Sequence, residues 1–269
     1  MSSSPATESL ILPDAPPIPD LRFRHWQEAD LEDMVRIFNA VADADQFDIK
    51  VTLDEIKTWY VPRPDFDPQR DIIVAHVADE MIAFCECGWY DNTDEIRFYS
   101  ITGRVHPNWR RRGVGTALIR YNQQHARELA QTHPYDMPKK FVSYGTDTAI
   151  GTQTILTKEG FTPARYFYDM VCDLAQHQLD VALPTGIEVR PVSADQYRQV
   201  WDAFTEAMRD HWNAWEPTEE DYQQWLTDPT FEPSLWCVAW EGDQIVGQVL
   251  NFIKPAENEA FQRKRGYTE

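Results

Sequence analysis

The sequence has little of what metal centres, disulfide frameworks and membrane spans are made from. Only 4 cysteines occur in 269 residues: Cys85, Cys87, Cys172 and Cys237. None belongs to a Cys-x-x-Cys pair, whereas a structural zinc site needs about four ligands at short spacing. No metal is therefore expected. Cys85 and Cys87 flank Glu86 on an apparent strand, so the two thiols share a face. They read as buried, reduced side chains, which places the chain in the cytoplasm. A run of about 18 apolar residues is missing, which excludes a membrane-spanning helix. Nucleotide P-loop, dinucleotide Gly-x-Gly-x-x-Gly, Ser-His-Asp and His-Glu-x-x-His patterns are missing too. Basic residues are scarce, 25 Lys and Arg against 44 Asp and Glu, for a net charge of −19. That balance excludes a nucleic-acid surface and an anionic membrane as partners. It suits a cationic substrate such as an amine, or it serves solubility alone.

What is present is enough apolar material for packed cores, with 42% hydrophobic and 13% aromatic residues. Residues 1–20 are rich in Ser and Pro and lack the basic start and apolar stretch of a secretory signal. They read as a flexible arm. Leu21–Arg24 alternates as a strand. Asp30 precedes Leu31, Met34, Val35, Phe38 and Val41, the spacing of an amphipathic helix with Asp30 as its N-cap. Thr52 and Glu55 form a capping box before Ile56, Trp59 and Tyr60. Ile72–Val77 and Met81–Trp89 read as a hairpin, and Ile96–Val105 as a further strand. A helix follows with Val114, Ala117, Leu118, Tyr121, His125 and Leu129 on one face. Phe141–Tyr144 reads as a strand, Thr148–Lys158 as a short helix and Phe161–Leu174 as strand material. The fold class is α/β (α+β), a mixed central sheet with flanking helices.

The pattern then starts again. Ile187 stands 166 residues after Leu21, and the Thr218–Trp225 capping stretch stands 166 residues after Thr52–Trp59. Val238-Ala239 matches Val74-Ala75 at an offset of 164. A strand, a capped helix and a hairpin in one order at nearly one offset indicate duplication. The expected organisation is an arm over 1–20, a first domain over 21–175, a linker over 176–186 and a partial second domain over 187–269. The second copy stops about where its own Val105 would fall. Of the two explanations, a fragment and a natural truncation, an unfinished sheet with open edges favours the fragment.

The stretch that carries chemistry is Val105–Ile119, VHPNWRRRGVGTALI. A strand end and a proline lead into Arg110, Arg111 and Arg112, then Gly113 and Gly115, then a helix. Glycines at such a junction let backbone N–H groups turn outward, and the helix N-terminus adds positive potential. The product is a cradle for phosphate.

Val105-His-Pro107-Asn-Trp-Arg110-Arg-Arg-Gly113-Val-Gly115 resembles the signature of the GNAT acetyltransferases: a strand ending Val-x-Pro, then Arg or Gln, two residues, Gly, one residue, and Gly or Ala. The element order fits that family, and Glu159-Gly160-Phe161 is similar to its usual ending. The whole resembles a tandem arrangement of the mycothiol synthase kind, a complete GNAT unit followed by the front half of another. The resemblance implies acetyl-CoA as co-substrate, lying between the fourth and fifth strands. Backbone N–H groups of Arg111, Arg112, Gly113, Val114, Gly115 and Thr116 would hold its pyrophosphate, with Arg110 at the loop entrance. Gly103 and Val105 would pair with the pantetheine arm, and the Val105 N–H would serve as oxyanion donor. The implied reaction is N-acetylation of a small-molecule or peptide amine by direct attack in a ternary complex. The alternative is a catalytically weak acetyl-CoA-binding module with a regulatory or structural role.

Two positions depart from the family. A Tyr often stands four residues before the late Gly; here it is Leu156. A Glu often stands six residues before the Val; here it is Tyr99. Glu86 and Tyr99 are the candidates that remain for proton transfer, with Glu95 and Tyr144 beside them. Each also suits an ordinary strand or core position. His106, and Asp210-His211-Trp212 in the second copy, read as loop and helix-end residues.

Overall fold

The computed structural model describes residues 9–175 and 182–269. In chain order its elements are β1 (Leu21–His25), α1 (Leu31–Ala44), α2 (Leu53–Trp59), α3 (Pro68–Asp71), β2 (Ile72–Val77), β3 (Glu80–Asp91), β4 (Arg97–Val105), α4 (Val114–Thr132), β5 (Lys139–Val142) and α5 (Ile150–Lys158). Then come β6 (Ile187–Val189), α6 (Tyr197–Met208), α7 (Glu219–Leu226), β7 (Cys237–Glu241), β8 (Gln244–Val249), β9 (Asn251–Ile253), α8 (Pro255–Ala260) and β10 (Gly266–Thr268).

β1 to β5 form one sheet in sequence order, antiparallel except for the parallel β4–β5 pair. Alternation along the strands sends side chains to two cores. Ile72, Val74 and Phe84 meet Met34, Ile37 and Phe38 of α1 and Ile56 of α2. Ile73, Ala75, Ile82 and Cys85 meet Val114, Ala117 and Leu118 of α4, and Cys87, Tyr99 and Ile101 continue that second face. Thr52 caps α2 as expected, with both bonds of the capping box made to Glu55. Asp30 behaves differently. Its carboxylate closes the preceding 3-10 turn by accepting from the Gln27 N–H and takes both guanidinium nitrogens of Arg24, so α1 has no side-chain cap.

Residues 1–8 of the expected arm lie outside the described residues. The remainder is largely exposed but anchored: Leu12 is buried with Phe23 and Val114, and Asp14 pairs with Arg120 at 2.9 Å. Composition suggested a loose segment, but two leucines in it find an apolar groove beside β1. The stretch read as strand material after Phe161 forms no strand, and Tyr166, Tyr168, Met170, Val171 and Leu174 are exposed. A strand exists only with a neighbour to pair with, and periodicity does not report whether one is present.

The chain divides into two compact units. The first joins residues 9–161 to 211–229 and 255–263; the second comprises described residues within 162–210, 230–254 and 264–269. Part of the expected 176–186 linker, residues 176–181, lies outside the described residues. The division departs from the expected boundary because α7 and α8 pack with the first unit, not with β6–β8. Asn213 donates to the Tyr90 hydroxyl at 2.7 Å, and Gln224 donates to the Thr58 carbonyl at 2.8 Å. In the second unit β6, β7 and β8 form an antiparallel sheet, and β9 pairs with β10. The register slips between Ala239 and Trp240, as it does between Ala75 and His76 in the first unit. The same irregularity thus recurs at the 164-residue offset seen in the sequence.

Beneath β2, Asp71 is fully enclosed and accepts from His125, from Arg70 and from the Asp67 N–H. Burial pushes its carboxyl up, but hydrogen bonds from His125 and Arg70 outweigh burial and hold it below the usual range. Asp71→Asn is expected to destabilise the fold by about 2 kcal/mol, because two donors lose an acceptor. A carboxyl with a lowered folded pKa stabilises fully above its unfolded value of about 4 and less as pH falls through the folded value. Chemical denaturation between neutral and acid pH checks this: the gap between the two proteins should narrow with acid. Burial also pushes the Cys85 thiol up and the Cys87 thiol to about 12, while Cys172 and Cys237 are exposed. A thiol reagent at mildly alkaline pH should modify Cys172 and Cys237 quickly and reach Cys85 and Cys87 only on unfolding.

Candidate active site

β4 keeps its register with β3 along its whole length, from Arg97–Asp91 to Val105–Ala83. Its register with β5 runs only from Arg97–Lys139 to Ser100–Val142. Beyond Ser100 the two strands part. Hydrogen-bonding direction alternates along a strand. The Arg97 N–H points to the β5 side, where it meets the Pro138 carbonyl, and the His106 N–H points to the β3 side, where it meets the Ile82 carbonyl. Ile101, Gly103 and Val105 therefore present their N–H groups to the gap. The gap is an unoccupied strand edge in the middle of a sheet, the shape that an extended amide chain fills.

Gly103 is there for a steric reason. A Cβ on it would lie 3.0 Å from the Cys85 Cβ and 3.2 Å from the Phe84 carbonyl oxygen. Gly115 and Val105 face each other and Ile155 across the inner end of the gap.

The gap opens onto the loop before α4. Pro107–Trp109 makes a 3-10 turn, Arg111 has φ +62° and Gly113 has φ +90°. Two left-handed residues flanking Arg112 turn successive N–H groups to one side, the geometry of an anion nest. The first helical bond of α4 runs from the Ala117 N–H to the Gly113 carbonyl, and Gly113 offers no side-chain cap. Val114, Gly115 and Thr116 thus keep outward N–H groups at the positive end of a 19-residue helix. The donor set fits a pyrophosphate. Arg110 has a different part from the one expected at the loop entrance. Its guanidinium takes both Asp45 carboxylate oxygens at 2.6 and 2.8 Å, and its Nε donates to the Val105 carbonyl. It ties the loop to the end of α1. Arg112 lies over the Trp109 ring, and Arg111 is exposed.

The proton-transfer candidates separate. Glu86 pairs with Thr102 across the β3–β4 ladder and accepts from its hydroxyl at 2.6 Å. It sits on the α1–α2 face, behind the part of β4 that lines the gap. Glu86 Oε2 is buried, and the carboxylate has the Tyr60 hydroxyl as a hydrogen-bonding neighbour. The Tyr60 hydroxyl stands beside it, and burial, reinforced by Glu86, pushes that phenol well up. Tyr99 is on the opposite face, fully buried, with its hydroxyl 2.7 Å from His133 Nδ1. The sheet lies between it and Glu86, and it sits where β4 is still paired with β5. Both were candidates by strand position, which does not tell strand face. Tyr144, just past β5, stands with its hydroxyl beside that of Tyr90, and burial together with that neighbour pushes its phenol up. Leu156 packs with Tyr99 and Ile119. Glu95 is a turn residue with φ +58°, and its N–H donates to the Asn92 carbonyl.

No cluster of three His, Cys, Asp or Glu side chains suited to a metal occurs among the described residues. None of the helices described is long and apolar enough to cross a membrane.

The chain is 29% identical over 160 residues to a mycothiol acetyltransferase of Geodermatophilus obscurus, covering 58% of this chain and 48% of that protein. A mycothiol acetyltransferase of Pseudarthrobacter chlorophenolicus is 27% identical over 150 residues, covering 55% of this chain and 42% of that protein. The chain thus spans about half the length of the curated relatives it matches. Its fold is similar to that of a GCN5-related N-acetyltransferase from Sphaerobacter thermophilus, with a TM-score of 0.62 at 20% identity over 96% of this chain and 76% of that one. Residues 68–168, which hold the gap, the nest and Glu86, match the family model described as acetyltransferase (GNAT) domain.

Proposed function

We propose that the first unit is an acetyl-CoA-dependent N-acetyltransferase acting on an amine. The observation that carries this is the parting of β4 from β5 directly above an N–H nest, which suits an extended amide arm ending in a pyrophosphate. The N–H groups of Arg111–Thr116 hold the phosphates, and Gly103 and Ile101 take the arm as a strand would. When bound, acetyl-CoA supplies an acetyl thioester open to attack by an uncharged amine. Glu86 takes the proton of the incoming ammonium, its carboxylate exchanging the Tyr60 hydroxyl for the amine. The Val105 N–H is placed to stabilise the developing oxyanion. Tyr144, just past the end of β5, is the phenol that would give a departing thiolate its proton. Tyr99 has a packing role here. The recurrent element order and register slip support a duplicated ancestry for the second unit. Leu156, at the position where the family often has Tyr, supports a second reading, a binding module with weak turnover.

Two variants separate binding from chemistry. Gly113→Val puts a side chain on a φ of +90° and 3.2 Å from Pro16, a strain of about 1–2 kcal/mol. It should abolish the calorimetric signal of acetyl-CoA; wild-type affinity in the variant would mean that the loop is not the phosphate site. Glu86→Gln should bind acetyl-CoA as wild type does while thiol release with an amine falls about 100-fold or more. Binding without thiol release in the wild type would establish the module reading.

A further inference from the structure

On the Glu86 side of the sheet, half-buried Arg104 carries one buried nitrogen without an acceptor. Arg104 pairs with Phe84 in the β3–β4 ladder, next on that face to the Glu86–Thr102 pair. Residues opposite each other, and those two apart along a strand, share a face. Arg104, Thr102, Glu86 and Phe84 therefore form one patch. The Arg104 guanidinium sits over the Phe38 ring, 3.6 Å from its centroid. A ring satisfies the face of the cation and leaves its in-plane N–H donors in need of an acceptor. Arg104 Nη1 is buried and has none. The neighbouring Glu86 carboxylate is met by the Tyr60 hydroxyl and not by Arg104, so the two ions leave each other unpaired. Diagonal neighbours on a sheet face have backbones about 7–8 Å apart, so one small molecule can touch both side chains. Tyr60 lies within the field of both ions, Glu86 raising its pKa and Arg104 lowering it.

The geometry points to an α-amino acid as the acceptor, with its amine at Glu86 and its carboxylate at Arg104. This rests on the acetyl-transfer reading above and adds the chemical class of the substrate. The patch carries one charge of each sign, and a zwitterion presents the complementary pair on one carbon. A plain amine or an amino sugar fills the Glu86 end and leaves Arg104 Nη1 buried without an acceptor. Sites that pair a substrate group strongly reject analogues lacking it, because the protein's own polar group is then stranded. Phe38, Phe84 and Trp59, whose ring lies 5.7 Å from that of Phe38, supply an apolar wall for a side chain. Displacement of the Tyr60 side chain admits the molecule. In the reaction one ammonium proton passes to Glu86, the new C–N bond forms and the C–S bond breaks, and the second proton lost from nitrogen ends on the leaving thiolate.

The test compares L-alanine, L-leucine and L-phenylalanine with ethylamine, isopentylamine and phenethylamine, using the full chain. Thiol release with acetyl-CoA gives kcat/KM, and calorimetry gives amino-acid binding without turnover. The expected result is a preference of at least about 100-fold for one or more amino acids over the matched amine. Arg104→Met should raise KM for the amino acid and bring that ratio near one, and Arg104→Lys should restore part of it. Calorimetry should show millimolar or tighter amino-acid binding that Arg104→Met removes. Equal kcat/KM for acid and amine, or no amino-acid binding at millimolar concentration, overturns the proposal. Failure of the acetyl-transfer reading looks different: acetyl-CoA itself then gives no heat, while the amino-acid calorimetry still reports on the patch.

Discussion

Everything in the candidate site depends on where β4 and β5 stop sharing hydrogen bonds. Continued pairing past Ser100 and Val142 would close the gap and consume the N–H groups of Ile101, Gly103 and Val105. β3 stays bonded to β4 throughout, so the open edge is held rigid from behind. The side chains on either face of this half-freed strand inherit separate tasks. One face packs α4 and so aims the helix N-terminus at the gap; the other face holds Glu86, Thr102 and Arg104. A strand that is bonded on one edge only is thereby scaffold and receptor at once.

The loop is braced before any ligand arrives. Arg111 and Gly113 occupy left-handed conformations, which cost free energy for a residue with a Cβ. Arg110 offsets part of this by tying Val105 and Asp45 together. Its charge is spent inside the protein, so the nest attracts anions mainly through backbone dipoles, with Arg111 and Arg112 beside it. That local sign stands against a molecule of net charge −19. Short-range donors decide affinity here, since at physiological salt distant carboxylates are screened beyond about 8 Å.

Much of the first unit was legible in the sequence, and for identifiable reasons. Capping chemistry located α2 because Thr52 and Glu55 make both bonds that the spacing implies. Periodicity found the hairpin and α4, and glycine spacing found the loop. Other features were hidden. Face cannot be read from strand position alone, so Tyr99 and Glu86 looked alike although the sheet lies between them. Arg110 looked like a phosphate ligand because its partner Asp45 is 65 residues away in sequence. Arg104 gave no signal, being one more charged residue on a strand; only its seat over Phe38 and its buried nitrogen distinguish it. The stretch after Phe161 has strand-like residues, but pairing is a property of neighbours, and neighbours are set by tertiary structure. The arm's leucines were outvoted by the prolines around them.

Asn213 and Gln224 lie far downstream of β1 to β5 in sequence and belong by contact to the same unit. The sheet-bearing part of that unit leans on residues encoded about 120 to 170 positions downstream, since Tyr90 and Thr58 take hydrogen bonds from them. Order along the chain therefore does not mark out the piece that holds together. A cut after Phe161 would keep all of β1 to β5 and still remove the donors to Tyr90 and Thr58.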